Sequence, residues 1–184
     1  MRKLTHDEIA AQRTKRADLQ ATPRVPIDVL VDNVRSLYNI GSIFRTSDGA
    51  WIHKLFLCGF TPHPPRKEIE KTALGATGTV PWEYRKDPLE VILELKQQKV
   101  TICVLEQTTK SIPYTAVSPS NFPLCLVIGN EITGVSHRLV EAADMAIEIP
   151  MVGTKQSLNV AVAYGIAVFE LAYIFSSGGN QKGL

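Results

Sequence analysis

A chain of 184 residues, 45% hydrophobic and 21% charged, has the composition of an ordinary globular protein and the length of one domain with a real core. Its net charge of +2 does not by itself mark a nucleic-acid binder. Its three cysteines, Cys58, Cys103 and Cys125, are odd in number and contain no CxxC pair, which excludes a disulfide framework and a zinc ribbon.

The opening MRKLTHDEIA has no apolar run of the signal-peptide kind. Thr5-His6-Asp7-Glu8 instead fits a capping box that starts a helix reaching about residue 20. Residues 1–24 form a basic leader, with Arg2, Lys3, Arg13, Lys15, Arg16 and Arg24 against Asp7, Glu8 and Asp18. It is either a solvated helix face or an arm that touches phosphates. Pro23 and Pro26 end it, and the folded domain is expected over residues 25–184.

Within that domain the apolar runs predict strands at residues 27–31, 55–59, 80–84, 100–105, 124–128 and 146–149, with a short extended piece at 112–116. Helices are expected at about residues 42–50, 67–74 and 88–98, and from a Ser136 cap to about 143. Each cysteine lies in a strand-like run (LFLCGF, TICVLE, PLCLVIG), so all three are expected as small core residues of a reduced, cytoplasmic protein. The unbroken run at 124–128 predicts a strand buried on both faces.

The closing stretch IPMVGTKQSLNVAVAYGIAVFEL reads as a strand end, a polar loop and a long apolar helix. Ser157 is expected as its N-cap, residues 158–175 as its body and Gly178-Gly179 as its stop. Apolar on nearly every side, the helix is expected to be buried on nearly every side. Its longest apolar run, 160–169, stops at Glu170, too short to span a bilayer.

Alternating strands and helices predict an α/β fold with a mainly parallel sheet flanked by helices. In such sheets ligands bind beyond the carboxyl ends of the strands. Three polar loops fall there: DNVRSLYNIGSIFRTSDGA, IGNEITGV and PMVGTKQSLN. No GxGxxG or GxxxxGK[ST] is present. His6, His53, His63 and His137 show no metal spacing, so no metal is expected, and Ser157 lies in no nucleophile elbow. What remains is a site of amides, hydroxyls and backbone with Glu131 and Arg45 embedded. Such groups suit an adenosine-like ligand: Gly129, Gly134 and Gly153 allow close backbone approach, Val152 and Leu158 offer a wall, and Arg45 suits a phosphate.

The three loops, in order and spacing, resemble the three motifs of the SpoU-type (TrmH-like) branch of the SPOUT superfamily of RNA methyltransferases. NVRSLYNIGSIFRTSDGAW resembles the first, on Asn39, Gly41, Arg45 and Thr46. LVIGNEITGV resembles the second, on Gly129, Asn130, Glu131 and Gly134. IPMVGTKQSLNVAVAYGIAVFE resembles the third, on Ile149, Pro150, Met151, Ser157, Leu158, Asn159 and Val160. KTALGATGTVPWEY is similar to the family's stretch after the second strand, and the likeness covers about residues 27–173. One departure is Ser47-Asp48-Gly49-Ala50-Trp51, where relatives often carry Ala-x-Ala-Phe-Gly; Asp48 is expected either to pair with a nearby base or to be exposed.

The resemblance implies a C-terminal deep trefoil knot, S-adenosylmethionine bound by the knotted loops, a homodimer, and methyl transfer to a ribose 2′-hydroxyl of tRNA or rRNA. It also implies catalytic roles for Arg45, Asn39, Glu131, Ser157 and Asn159, and cofactor contacts at Gly129, Asn130, Ile149, Met151 and Leu158. Asn39, Ser157 and Asn159 are expected to orient Arg45 and the ribose, and Glu131 to fix Arg45 or a loop amide. An arginine has a pKa of at least about 12.5, so taking its proton at pH 7 costs roughly 7 kcal/mol or more; Arg45 is therefore expected as a phosphate anchor and alkoxide stabiliser rather than a plain base. Many relatives carry a separate N-terminal RNA-binding domain, so selection is expected here to rest on the core, the leader and the dimer, with Arg35, Arg66, Lys67, Lys71 and Lys155 near the loops. The rivals are a non-catalytic RNA-binding protein of the same fold and an α/β enzyme acting on a small nucleotide.

Overall fold

The computed structural model describes residues 1–12 and 22–180. Strands β1 (Val25–Asp32), β2 (Ile52–Cys58), β3 (Trp82–Arg85), β4 (Thr101–Leu105), β5 (Ile112–Pro113), β6 (Leu124–Ile128) and β7 (Met145–Glu148) form one sheet in the order β3-β2-β1-β6-β4-β7-β5. Every pairing is parallel. The α-helices among the described residues are α1 (His6–Gln12), α2 (Leu37–Gly49), α3 (Lys67–Ala73), α4 (Pro88–Gln97), α5 (His137–Ala142) and α6 (Val160–Phe175).

Strand alternation builds the two layers. Ile27, Val29 and Val31 of β1 point into the core under α2, α3 and α6, while Leu30 points into the core under α4 and α5. All of β6 is buried, as its unbroken apolar run predicts. The three cysteines are buried and unpaired. Burial pushes the Cys58 and Cys103 thiols up to about 12 and raises Cys125 as well, so none is a ready nucleophile.

Several boundaries move for identifiable reasons. Strand β1 begins at Val25, ahead of the expected start, and its register with β2 slips between Val25 and Asp28, where Pro26 has no N–H to give. Helix α2 begins five residues before the expected position, because the Ser36 hydroxyl accepts the Asn39 N–H at 3.2 Å and serves as its cap. The capping box at α1 is present: Glu8 N–H donates to Thr5 Oγ1 at 3.3 Å and Thr5 N–H to the Glu8 carboxylate at 2.8 Å. Its expected continuation to residue 20 lies outside the described residues.

The closing helix corrects four expectations. Its N-cap is Asn159, not Ser157: Asn159 Oδ1 accepts from Ala161 N at 2.9 Å and Val162 N at 3.4 Å. It is not buried all round. Tyr164, Ala167, Val168, Leu171 and Ala172 are buried, but Val162, Ile166, Phe169 and Tyr173 leave an exposed apolar stripe, between 37% and 65% accessible. Instead of stopping at the glycines it widens into a π-type turn, Ser176–Asn180. The apolar helical stretch, Val160–Gly178, is 19 residues, long and apolar enough to cross a bilayer; the expected limit at Glu170 does not hold, because one glutamate does not break the helix. Here that stretch packs sideways on α2, β1 and β6.

Candidate active site

At the carboxyl edge of the sheet, the ends of β1 and β6 are tied together. Asp32, 1% exposed, accepts Ser136 N–H at 2.9 Å and the Asn33 side-chain amide at 2.8 Å. Asn33 takes the left-handed conformation (φ 57°), which an Asn tolerates better than most side chains. Its carbonyl accepts Asn130 Nδ2 at 2.7 Å. Asn130 Oδ1 accepts the N–H groups of Ile132 and Thr133 at 2.9 and 3.2 Å. Asn130 thus uses both ends of its amide to shape the loop that presents Glu131.

Glu131 reaches from that loop to the start of α2. Its carboxylate accepts Arg35 N–H at 3.1 Å, Ser36 N–H at 3.2 Å and Asn39 Nδ2 at 2.9 Å. Asn39 Oδ1 in turn accepts Asn159 Nδ2 at 3.2 Å. Burial works to raise the Glu131 carboxyl, but the N–H groups of its own backbone, Arg35, Asn39 and Ser36 outweigh it and hold the group below the usual glutamate range. Three residues 92 and 120 positions apart along the chain therefore form one relay, Asn159 to Asn39 to Glu131, joining all three loops.

Arg45 stands apart. It lies six residues after Asn39 on α2, about 9 Å further along the axis and about 120° around it. It is exposed, and among the described residues its guanidinium makes no hydrogen bond or ion pair. Glu131 fixes loop amides, one of its two expected roles, and Asn39; Asn39 and Asn159 hold each other rather than Arg45, which corrects the arrangement expected of them. Asp48 accepts from Thr79 Oγ1 at 2.5 Å rather than pairing with a base. Arg24 of the leader is occupied too: it stacks on Trp51, 3.8 Å from the ring centre, and donates to Ile52 O at 2.9 Å and Thr79 O at 2.8 Å.

Beside the relay opens a cavity of about 710 Å³, within the size range of small-molecule sites. Gly129, Asn130, Ile149, Met151 and Leu158, the expected cofactor contacts, all line it, as do Glu131 and Ser157. Asn39, Arg45 and Asn159 are not among its lining residues. A Cβ on Gly129 would run into the Gly134–Val135 backbone, so only glycine lets the two arms of that loop meet. The Ser136 hydroxyl, at the N-cap position of α5, makes no cap bond and is buried without a hydrogen-bond partner. Ser136 lines the cavity, so a buried polar atom without a partner stands beside it.

A fourth loop, 106–108, also lines the cavity and was not anticipated. Glu106 Oε2 accepts Val135 N–H at 2.9 Å, fixing the loop after β6. Gln107 Nε2 donates to Gln156 O at 2.6 Å, fixing the loop after β7. The signal was available: EQTT follows the strand TICVL at the same edge of a parallel sheet. Among the described residues no cluster of three or more His, Cys, Asp or Glu is placed to hold a metal. The assembled groups can position and polarise a ligand, and none is an activated nucleophile.

The profile of the SpoU rRNA Methylase family matches residues 26–169. The tRNA (guanosine(18)-2'-O)-methyltransferase of Aquifex aeolicus is 36% identical over 143 residues, which cover 77% of this chain and 66% of that protein. The 23S rRNA (guanosine-2'-O-)-methyltransferase RlmB of Neisseria meningitidis serogroup B is 28% identical over 145 residues, 79% of this chain and 57% of that protein. The chain thus spans no more than about two thirds of the length of these curated relatives. Among solved structures, the Aquifex aeolicus TrmH/SpoU tRNA modifying enzyme matches with a TM-score of 0.76 at 31% identity, covering 89% of this chain and 85% of that one. The SpoU methyltransferase AviRb of Streptomyces viridochromogenes, solved in complex with AdoMet, matches with a TM-score of 0.76 at 26% identity, covering 82% and 61%.

Proposed function

Because its residues 26–169 carry the profile, the chain belongs to the SpoU rRNA Methylase family, and we propose that it transfers a methyl group from S-adenosylmethionine to a ribose 2′-hydroxyl of a tRNA or rRNA. The observation that carries this reading is the Asn159–Asn39–Glu131 relay standing beside a nucleoside-sized cavity at one sheet edge. Pure RNA binding by the same fold gives no reason for three loops to converge on a polar cluster next to a pocket. S-adenosylmethionine, when bound, supplies an electrophilic methyl group on a sulfonium. Ile149, Met151 and Leu158 provide an apolar wall for its adenosine, the backbone at Gly129 a close approach, and Ser136 and Glu106 polar contacts.

Methyl transfer needs the ribose oxygen aligned with the carbon it attacks, so positioning supplies much of the rate. Asn39 and Asn159 hold the rim of the site rigid through Glu131, and Ser157 lies at the same opening. Arg45, free of internal partners, pairs with the phosphate next to the target ribose and stabilises the negative charge on the ribose oxygen as its proton passes to solvent water. Its separation from the relay is accommodated if the active form is a homodimer. The exposed stripe Val162, Ile166, Phe169 and Tyr173 is the face we propose for the dimer contact; Gly49 of α2, one turn beyond Arg45, lies beside Phe169. We further propose that the C-terminal part is threaded as a trefoil knot. Support comes from α6, which returns from β7, next to the edge strand β5, to pack on β1 and β6 while also contacting the connection between β4 and β6, where Phe122 and Phe175 lie 5.4 Å apart. Three buried free thiols suit a reducing, cytoplasmic setting.

Calorimetric titration with S-adenosylmethionine, paired with methyl transfer to total RNA and to free nucleosides, tests the activity. Cofactor binding with 2′-O-methylation of RNA is expected. No cofactor binding favours a non-catalytic RNA-binding protein, and methylation of free nucleosides favours a small-molecule enzyme. Mapping 2′-O-methyl sites in cells with and without the gene then identifies the target.

A further inference from the structure

Beyond β1, along the same sheet edge and away from the cavity, the ring of Phe60 stands 88% exposed on a turn whose every neighbour is anchored. Its N–H donates to Asn33 Oδ1 at 2.9 Å. Gly59 before it takes a positive φ of 63°, has no room for a Cβ against the Asn33 side chain, and has its carbonyl held by Tyr84 Oη at 3.0 Å. Thr61 after it is buried, with Oγ1 donating to Val31 O at 3.1 Å and its N–H to Cys58 O at 3.1 Å. Behind the turn His63 packs on Tyr84 and Trp82, with ring centres 4.9 and 6.2 Å apart. A large apolar ring on a mobile loop needs no explanation; one presented to solvent by a turn pinned on both sides calls for one.

Two observations point to what covers it. Asn33, which holds Phe60, also holds Asn130 and hence the Glu131 loop, so the ring is two hydrogen bonds from the proposed ribose site. Phe60 follows β2, two strands from β6, or about 10 Å along the edge. The cations on the segments that follow β1 and β2 are also free. Arg35, Arg66, Lys67 and Lys71 are exposed and, among the described residues, without a carboxylate partner, whereas Lys54 and Arg85 on β2 and β3 are paired with Glu83 and Glu94. An exposed aromatic face, with unpaired cations on the segments that follow the same two strands, is complementary to a strand with anionic phosphates and exposed bases.

We infer that Phe60 is a stacking post for an unpaired nucleobase next to the target nucleotide, with Arg35, Arg66 and Lys67 tracking the phosphates on either side. The inference rests on the proposed RNA substrate and adds to it that the substrate is single-stranded at this point. Laid along the sheet edge, the order is cofactor cavity, relay, stacked neighbour base. The base on Phe60 fixes the position of the adjoining ribose and thereby contributes to which nucleotide is presented.

The test compares anisotropy titrations of an unstructured, labelled oligoribonucleotide with those of a ribose–phosphate strand of equal length lacking bases, at one salt concentration. Phe60→Ala is expected to weaken binding of the base-bearing strand roughly 5- to 100-fold, the range for loss of one stacked base. It leaves binding of the abasic strand and calorimetric affinity for S-adenosylmethionine unchanged, and Phe60→Trp restores the loss. Equal weakening on both strands, or no weakening on either, overturns the stacking role alone. A wild-type chain that binds S-adenosylmethionine but no RNA strand overturns the proposed substrate as well.

Discussion

Asn159 does two jobs with one amide, and the two can be separated by substitution. Its Oδ1 caps α6 through Ala161 and Val162 N–H, and its Nδ2 donates to Asn39 Oδ1 at 3.2 Å. Asn159→Ala removes both, and loss of an N-cap costs about 1 kcal/mol of stability. For a chain of this size that lowers Tm by about 2–4 °C. Asn159→Asp keeps an acceptor at the helix start, where a negative charge gains about 0.3–1 kcal/mol from the helix dipole, so stability stays within about 0.5 kcal/mol of wild type. It nonetheless puts an oxygen opposite Asn39 Oδ1. Asn39 has no compensating flip, because turning its amide would aim an oxygen at Glu131. Both variants should therefore lose methyl transfer about 10- to 100-fold, in line with misplacement of a positioning group by about 1 Å, while only Asn159→Ala loses stability. Urea unfolding and transfer of labelled methyl to RNA measure the two effects. An Asn159→Asp protein as active as wild type would refute the relay.

Arg45→Ala should abolish methyl transfer while leaving calorimetric affinity for S-adenosylmethionine and the urea midpoint unchanged, because the side chain is exposed and unpaired; undiminished turnover would remove it from the chemistry. Ser47 and Tyr164, both fully buried, share a hydrogen bond of 2.7 Å. Tyr164→Phe strands the serine hydroxyl at a cost of about 1–3 kcal/mol, and adding Ser47→Ala should recover part of that loss in urea melts; strict additivity would show the pair uncoupled. His53 Nδ1 lies 2.7 Å from Asp28 Oδ1, and this bond raises the imidazole pKa against desolvation. A raised folded-state value means that the pair's contribution is complete below the unfolded pKa of about 6.5 and is lost as pH rises through the folded value. His53→Gln should therefore flatten the decline in stability above about pH 6.5, by less than about 1 kcal/mol for so exposed a histidine; an unchanged slope would place the titration elsewhere.

The parts of this molecule that could be read from its sequence are those fixed by local chemistry and by the direction of the chain. A parallel sheet follows from strands alternating with helices, and parallel strands all carry their following loops to one edge, so the convergence of the loops holding Asn39, Glu131 and Asn159 was visible without coordinates. The fourth loop obeys the same rule. Its signal is weak because Glu106 and Gln107 follow a strand whose next neighbour in sequence, β5, is two residues long and marks no βαβ unit. What a sequence does not carry is the choice among equivalent hydrogen-bond partners. Ser157 and Asn159 are both competent N-caps, and the chain uses Asn159 because a carboxamide can cap α6 with its oxygen and still hold Asn39 with its nitrogen, which a hydroxyl serving the same cap does less well. The exposed stripe on α6 hides for a related reason. Apolar periodicity reports hydrophobicity alone, and an apolar side chain left at the surface of the chain has the same composition as one packed in its core.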